Sequence, residues 1–257
     1  MNSAFQHNTT ALLVTAITLL AAPALAAQPT ADELFLAAED TVFPDSFRAE
    51  ITLTTTEGDE LISEMDLTLV YRHETGSYME VTAPARSRGL RFLQIDDALW
   101  MYNPRAGGGR AIRLSPRASF QGSTFSNRDL SDPEFADDYT VEVEGSETID
   151  HPDLGTVECW VLNATARNEQ LAYARIRSWL SKDEEILLRS HYFAKSGLLF
   201  KTAELSDIRE LAGAHRPTTI EMQSRQETDR VSRMSITSLE TADDLPDRFF
   251  TQRHLTR

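Results

Sequence analysis

Cys159 is the one thiol in the chain, and it adjoins no histidine or basic residue in sequence. A nucleophilic cysteine needs a base or cation to hold its thiolate, so Cys159, next to Trp160 in a strand-like run, reads as an inert buried thiol. His73, His151, His191, His215 and His254 fall at irregular spacings. They match neither His-Glu-x-x-His nor any other pattern that sets two ligands on one face of an element, so no metal is expected. Asp137-Asp138, Asp183-Glu184-Glu185 and Asp243-Asp244 are adjacent acids in a chain with 40 Asp and Glu. Each lies at a turn, where solvated charge is the default. A glycosidase pair would need one acid in an apolar pocket and a second across the scissile bond, and nothing in the sequence sets such a pair apart. Gly107-Gly108-Gly109 joins two strand-like runs and opens no helix, whereas a phosphate cradle needs a helix N-terminus behind it; it reads as a hairpin. Neither Gly-x-Ser-x-Gly nor a P-loop occurs. A protein that is not an enzyme and carries no cofactor is the expectation.

The bulk charge points the same way. The formal net charge is −15, which disfavours nucleic acid, where a basic face supplies most of the affinity, and disfavours general adhesion to anionic membranes. Ala11 to Leu20 is an apolar run followed by Ala24-Leu25-Ala26, a small-x-small cleavage pattern. At about 10 to 15 residues the run is short of the ~20 needed to span a bilayer, so residues 1–26 are expected to be a cleaved export signal. No cysteine follows the cut, so a free periplasmic protein is expected rather than a lipid-anchored one. Removing the first 26 of the 257 residues leaves 231, enough for one sizeable core over residues 27–257. A single cysteine makes no internal disulfide, so that core must hold the fold alone.

The elements follow from hydrophobic period. Pro29 to Thr41 is predicted helical: Thr30 caps it, Glu33 completes a capping box, and Leu34, Ala37 and Ala38 form a stripe with Phe35 beside it. Pro44-Asp45 ends it. The period then becomes two: Phe47, Ala49, Ile51 and Leu53, then Met65, Leu67, Leu69 and Tyr71, then Met79, Val81 and Ala83 alternate with polar residues across turns. Short strands follow at Leu90–Ile95, Leu99–Tyr102 and Arg110–Leu114. Residues 115–133 break the alternation; Phe120, Phe125 and Leu130 are spaced for a loop with a helical turn. Strand character resumes at Tyr139–Val143 and continues to Leu239, and Pro246–Phe250 is expected to dock its Phe pair. The fold class is mainly β (α+β): a strongly curved antiparallel sheet of about eleven strands, a half-open β-barrel covered by one or two short helices.

The informative chemistry is therefore apolar. A sheet of that size has more concave face than so little helix can cover, and the remainder is a cavity for acyl chains or similar ligands. Residues 88–130 carry a recognisable pattern: Arg88-Gly89-Leu90-Arg91-Phe92-Leu93-Gln94-Ile95 runs into Leu99-Trp100-Met101-Tyr102-Asn103-Pro104. It continues through Arg110 and Arg113 to Phe120-Gln121-Gly122-Ser123-Thr124-Phe125-Ser126-Asn127-Arg128-Asp129-Leu130. This stretch resembles the outer-membrane lipoprotein-sorting-like family of periplasmic proteins, related in fold to the LolA-type lipoprotein carrier. The resemblance implies a lidded half-barrel that holds acyl chains. The implied partners are an acyl lipid or lipoprotein and an inner-membrane transporter. The protein is expected to be a monomer that binds no nucleic acid. Candidate ligand contacts are Phe92, Trp100, Tyr102, Trp160 and Trp179 on strands, and Phe120, Phe125 and Leu130 in the cover. Alternation alone leaves the concave face open, since Trp100 and Tyr102 point one way and Leu99 and Met101 the other. A periplasmic sensor of mislocalised lipoproteins is the alternative reading. The polar 115–133 segment, flanked by Pro116 and Pro133, is expected to be the moving cover. Its amides should exchange faster than those of the strands; protection equal to the strands, with or without lipid, would contradict this.

Overall fold

The computed structural model describes residues 29–257 apart from 97, 107, 108, 133–135 and 243. The export signal expected over residues 1–26 lies outside the described residues. Helix α1 (Ala31–Val42) is followed by β1 (Ser46–Glu57), β2 (Glu60–Arg72), β3 (Gly76–Ala83), β4 (Arg91–Ile95), β5 (Ala98–Tyr102) and β6 (Ile112–Leu114). Helix α2 (Asn127–Ser131) and a 3₁₀ turn at Ala136–Asp138 lead into β7 (Tyr139–His151), β8 (Gly155–Ala166), β9 (Arg175–Ser181) and β10 (Leu187–Phe193). The chain ends with β11 (Leu199–Leu211), β12 (Ala214–Ser224), β13 (Arg230–Thr241), a 3₁₀ turn at Asp247–Phe250 and α3 (Gln252–Leu255).

All thirteen strands belong to one antiparallel, unclosed sheet in the order β6-β5-β4-β3-β2-β1-β13-β12-β11-β10-β9-β8-β7. Against the expectation of about eleven strands the sheet has thirteen, and the predicted short runs at β4, β5 and β6 each make a ladder of their own. Two meanders, β1–β6 and β7–β13, are joined by the pairing of β1 with β13, from Phe47↔Thr241 to Glu57↔Arg230. This places β6 and β7, consecutive strands in the chain, at opposite edges of the sheet. The connection between them crosses the concave face, where Phe120, Phe125 and Leu130 pack into the core of the sheet.

Alternation was a good guide where one face is buried. Phe47, Ala49, Ile51 and Leu53 of β1 are all buried, as are Met65, Leu67, Leu69 and Tyr71 of β2. They share one core with Phe120, Phe125 and Leu130 from the crossing segment. The guide failed for β7, expected only over Tyr139–Val143. As an edge strand it is solvated from Glu142 to Thr148, so no apolar period marks it, and its register slips at Val143/Gly145. The opposite face is covered in two places. Val70, Leu245 and Phe250 form one small cluster, with Phe249 packed against Tyr78 and His254. Ile149, Cys159, Val161, Trp179 and Leu188 form another. The Phe pair thus docks as expected, with Phe250 buried and Phe249 at the rim.

Gly76 starts β3 at φ +129, and a Cβ there would stand 2.0 Å from the Gln94 carbonyl oxygen on β4. Gly58 in the β1–β2 turn has φ +58 with open space around it. Gly76→Ala is therefore expected to cost at least about 2 kcal/mol, against about 1 kcal/mol for Gly58→Ala, because only the first adds a backbone clash to conformational strain. Denaturant titration of the two variants checks the order; equal losses would contradict it.

Candidate functional site

Two elements roof the concave face. Helix α1 starts at Thr30, whose hydroxyl accepts from the Glu33 N–H while the Glu33 carboxylate accepts from the Thr30 N–H at 2.8 Å. Leu34, Phe35 and Ala38 are its buried face; Phe35, placed beside the expected stripe, is buried more deeply than Ala37. The C-terminal end of α1 is held to the sheet. The Leu187 N–H donates to the Thr41 hydroxyl at 3.3 Å, and the Arg216 guanidinium donates to the Asp40 carbonyl. The second element is the 115–131 segment. Thr124 donates to the Met222 carbonyl at 2.8 Å on β12 and bonds Ser232 of β13 through its N–H at 2.9 Å. Ser77 of β3 donates to the Ser131 carbonyl at 2.5 Å.

Between roof and sheet lies a cavity of about 110 Å³ that opens at its mouth to solvent. Phe35, Ala38, Val42 and Phe43 line it from above, with Phe125 from the crossing segment. Its floor is Ile176, Tyr192, Leu205, Ile220, Met222 and Met234, from β9 to β13. Ser178 and Ser190 also reach the floor, but their hydroxyls bond one another at 3.1 Å, so they ask little of a ligand. An apolar wall with its few polar groups already satisfied favours hydrocarbon.

One polar cluster stands at the wall. The same Asp129 that completes the α2 capping box with Ser126 accepts from the Tyr173 hydroxyl at 2.7 and 3.0 Å. Lys201 of β11 donates to that hydroxyl at 3.1 Å and its ammonium lies 3.7 Å from Asp129. Both charged side chains are over nine-tenths buried, at 8% and 7% exposure. Tyr173 in turn packs at a tilt against Tyr192 with ring centroids 4.6 Å apart, and Tyr139 donates to its carbonyl. Burial pushes the Tyr173 hydroxyl well above its ordinary range, with the Asp129 charge adding to it. Burial pulls the Lys201 ammonium below its ordinary value, opposed by Asp129. A buried pair of this kind adds little net stability but is costly to break, since removing one member strands the other's charge. It joins the cover to the sheet at a single, directional point. Among the described residues no group of three or more metal-binding side chains occurs.

The expected contact residues divide three ways. Phe125 lines the cavity. Phe92, Phe120 and Leu130 are buried in the adjoining concave core, with the Phe92 and Phe120 rings 4.8 Å apart; Trp160 is on the concave face at its flank, beneath the Lys182 ammonium. Trp100, Tyr102 and Trp179 are on the other face. Phe92 pairs with Met101, which leaves Trp100 and Tyr102 opposite Leu93 and Arg91, and Trp179 donates its indole N–H to Glu147 at 2.8 Å. Lys201, Tyr173 and Asp129 gave no signal in sequence, because a lone Lys among strand residues looks like surface until the crossing segment delivers Asp129 to it.

A family model described as "uncharacterized protein" matches residues 73–257. Among solved structures, a LolA superfamily protein from Nitrosomonas europaea superposes with a TM-score of 0.79 at 25% identity, covering 89% of this chain and 100% of that one. A domain from Vibrio parahaemolyticus, named for outer membrane lipoprotein sorting, gives 0.74 at 20% identity over 88% of this chain and 98% of its own. The chain belongs to the family that this model describes, and it shares the fold of the LolA superfamily protein and of the Vibrio domain. Its half-open barrel is the LolA type. A protein from Desulfovibrio piger, of a domain family without assigned function, has the same fold at TM-score 0.76 and 21% identity, over 88% of this chain and 97% of its own. No curated protein matches the chain.

The buried tyrosines set the alkaline limit of this family member. Burial raises Tyr78, Tyr139, Tyr173 and Tyr192 above the usual range. A raised folded pKa stabilises the fold below the unfolded value of about 10 and loses that contribution as pH climbs beyond it, at up to ~1.4 kcal/mol per pH unit for each group. Lys201 works the other way, since its depressed pKa relieves a burial penalty as pH rises, but one lysine opposes four tyrosines. Stability is therefore expected to fall steeply above pH about 10, and less steeply in Tyr173→Phe. Urea titrations of both across that range check this; parallel curves would contradict it.

Proposed function

We propose that the protein is a periplasmic carrier or accessory binding protein for an acylated ligand, a lipid or a lipidated protein, in outer-membrane lipoprotein sorting or lipid traffic. The observation that carries the reading is the roofed apolar cavity between α1, Phe125 and strands β9 to β13. Each methylene moved from water into it contributes about 0.8 kcal/mol, so affinity should grow with chain length until the cavity is filled. The acidic exterior suits a protein that must stay dispersed while it shields an apolar cargo. On this reading residues 1–26 direct export, residues 27–257 work as one binding domain, and the protein binds rather than transforms its ligand.

Roof and floor both come from one chain, which suits action as a monomer. An inner-membrane transporter as the source or destination of the cargo follows from the family resemblance and belongs to the same proposal. The names of the Nitrosomonas and Vibrio relatives, with the share of each chain covered, support the class of function over an unrelated use of the fold.

Ala38 faces the cavity from α1 and is 3% exposed. Ala38→Phe would fill part of the void with a ring, in place of ligand. Uptake of a fluorescent long-chain acyl probe is expected to fall by about tenfold or more, the equivalent of losing two buried methylenes, with thermal stability held or raised. Undiminished probe binding in a folded Ala38→Phe variant would overturn the assignment of this cavity.

A further inference from the structure

Behind the Asp129–Tyr173 contact is a second cavity, about 300 Å³ and open at its mouth to solvent. Its lining differs in kind from the first: three cations, Arg117, Lys195 and Lys201, stand around Tyr173 and Phe200. The two cavities are one side chain apart, since Asp129 lines the first, its partner Tyr173 lines the second, and Tyr173 packs against Tyr192 of the first.

The charges in the second cavity are under-neutralised. Arg117 donates to the backbone carbonyls of Gln170 at 2.8 Å and Glu169 at 2.5 Å, contacts that aim the guanidinium but leave its charge uncancelled. Lys195 pairs with Glu169 at 3.3 Å, both exposed, a pairing that solvent weakens. Lys201 carries three N–H donors; Tyr173 takes one, and Asp129 at 3.7 Å balances the charge from beyond good hydrogen-bond length. Three cations against Asp129 and Glu169 leave a positive site in a chain whose net charge is −15, the reverse of what its composition would place there by chance.

We infer that this second cavity binds the anionic phosphate head group of the lipid whose acyl chain fills the first. The inference rests on the carrier reading above and names the class of cargo. An apolar companion favours a lipid over free phosphate: Phe200 forms a wall of the cavity, and Leu198, on the same hairpin as Lys195, is 71% exposed. An entering phosphate meets Asp129 as its competitor for Lys201. Binding therefore exchanges a bond that ties the cover to the sheet for one that holds the ligand.

The test compares monopalmitoylglycerol with monopalmitoylglycerol phosphate, which share a chain and differ by the head group, in displacing a fluorescent acyl probe from the protein. The phosphate form is expected to bind about tenfold or more tightly, the equivalent of one hydrogen-bonded charge contact. Lys201→Met should cut that preference, read as the ratio of the two lipids' affinities for the variant, to about twofold. Arg117→Gln, a change at an exposed residue, should reduce it part-way, and Asp129→Asn should increase it. Equal binding of the two lipids, unchanged in Lys201→Met and Arg117→Gln, would overturn the head-group site and leave the carrier reading standing. Binding of neither lipid would overturn the carrier reading as well. If inorganic phosphate alone stabilised the protein as much as the phosphate lipid did, the cavity would be a free-phosphate site and the lipid assignment would be wrong.

Discussion

Strands β6 and β7 follow one another in the chain yet sit at opposite edges of the sheet. The chain between them travels the width of the concave face. Two antiparallel meanders joined through β1 and β13 set that separation, and the C-terminal tail packed on Tyr78 and Val70 occupies part of the convex side. The cover thus follows from strand order and sequence together. Phe120, Phe125 and Leu130 then anchor the crossing by burial, each worth roughly 1.5–3 kcal/mol.

A crossing segment of this length cannot fill a trough floored by five strands. Helix α1 supplies the remaining roof, and the gap left between the two is the apolar cavity. The roof is held by contacts of two kinds. Burial of Phe120 and Leu130 is non-directional and tolerates sliding. Thr124, Ser77 and the Asp129–Tyr173–Lys201 cluster fix position through directional bonds. The cluster buries two opposite charges together, so the local balance there answers to an incoming charged group as the apolar contacts do not.

Much of this was legible in the chain. The period-two runs located all of the buried-face strands, the Thr30–Glu33 box located α1, and the broken alternation at 115–133 located the cover. What stayed hidden has physical causes. β7 is solvated along most of its length, so no apolar period marks its end. Trp100, Tyr102 and Trp179 are large and apolar like the cavity residues, but a single register step decides their face, and that step is set by the pairing of Met101 with Phe92 and of Trp179 with Val161. The cavity's own floor is built from Ile, Leu and Met of ordinary strand type, which in sequence are indistinguishable from core. The Lys201 cluster depends on contacts between residues 72 positions apart, beyond any local pattern.

The central claim is that the space under α1 and Phe125 holds an acyl chain. The most direct measurement is mass spectrometry of lipid extracted from the protein after detergent-free purification from a bacterial periplasm. The account predicts an acylated ligand at close to one per protein. A protein that emerged empty, and stayed empty after incubation with long-chain lipid, would contradict it, and the cavity would be a packing defect of an oversized sheet.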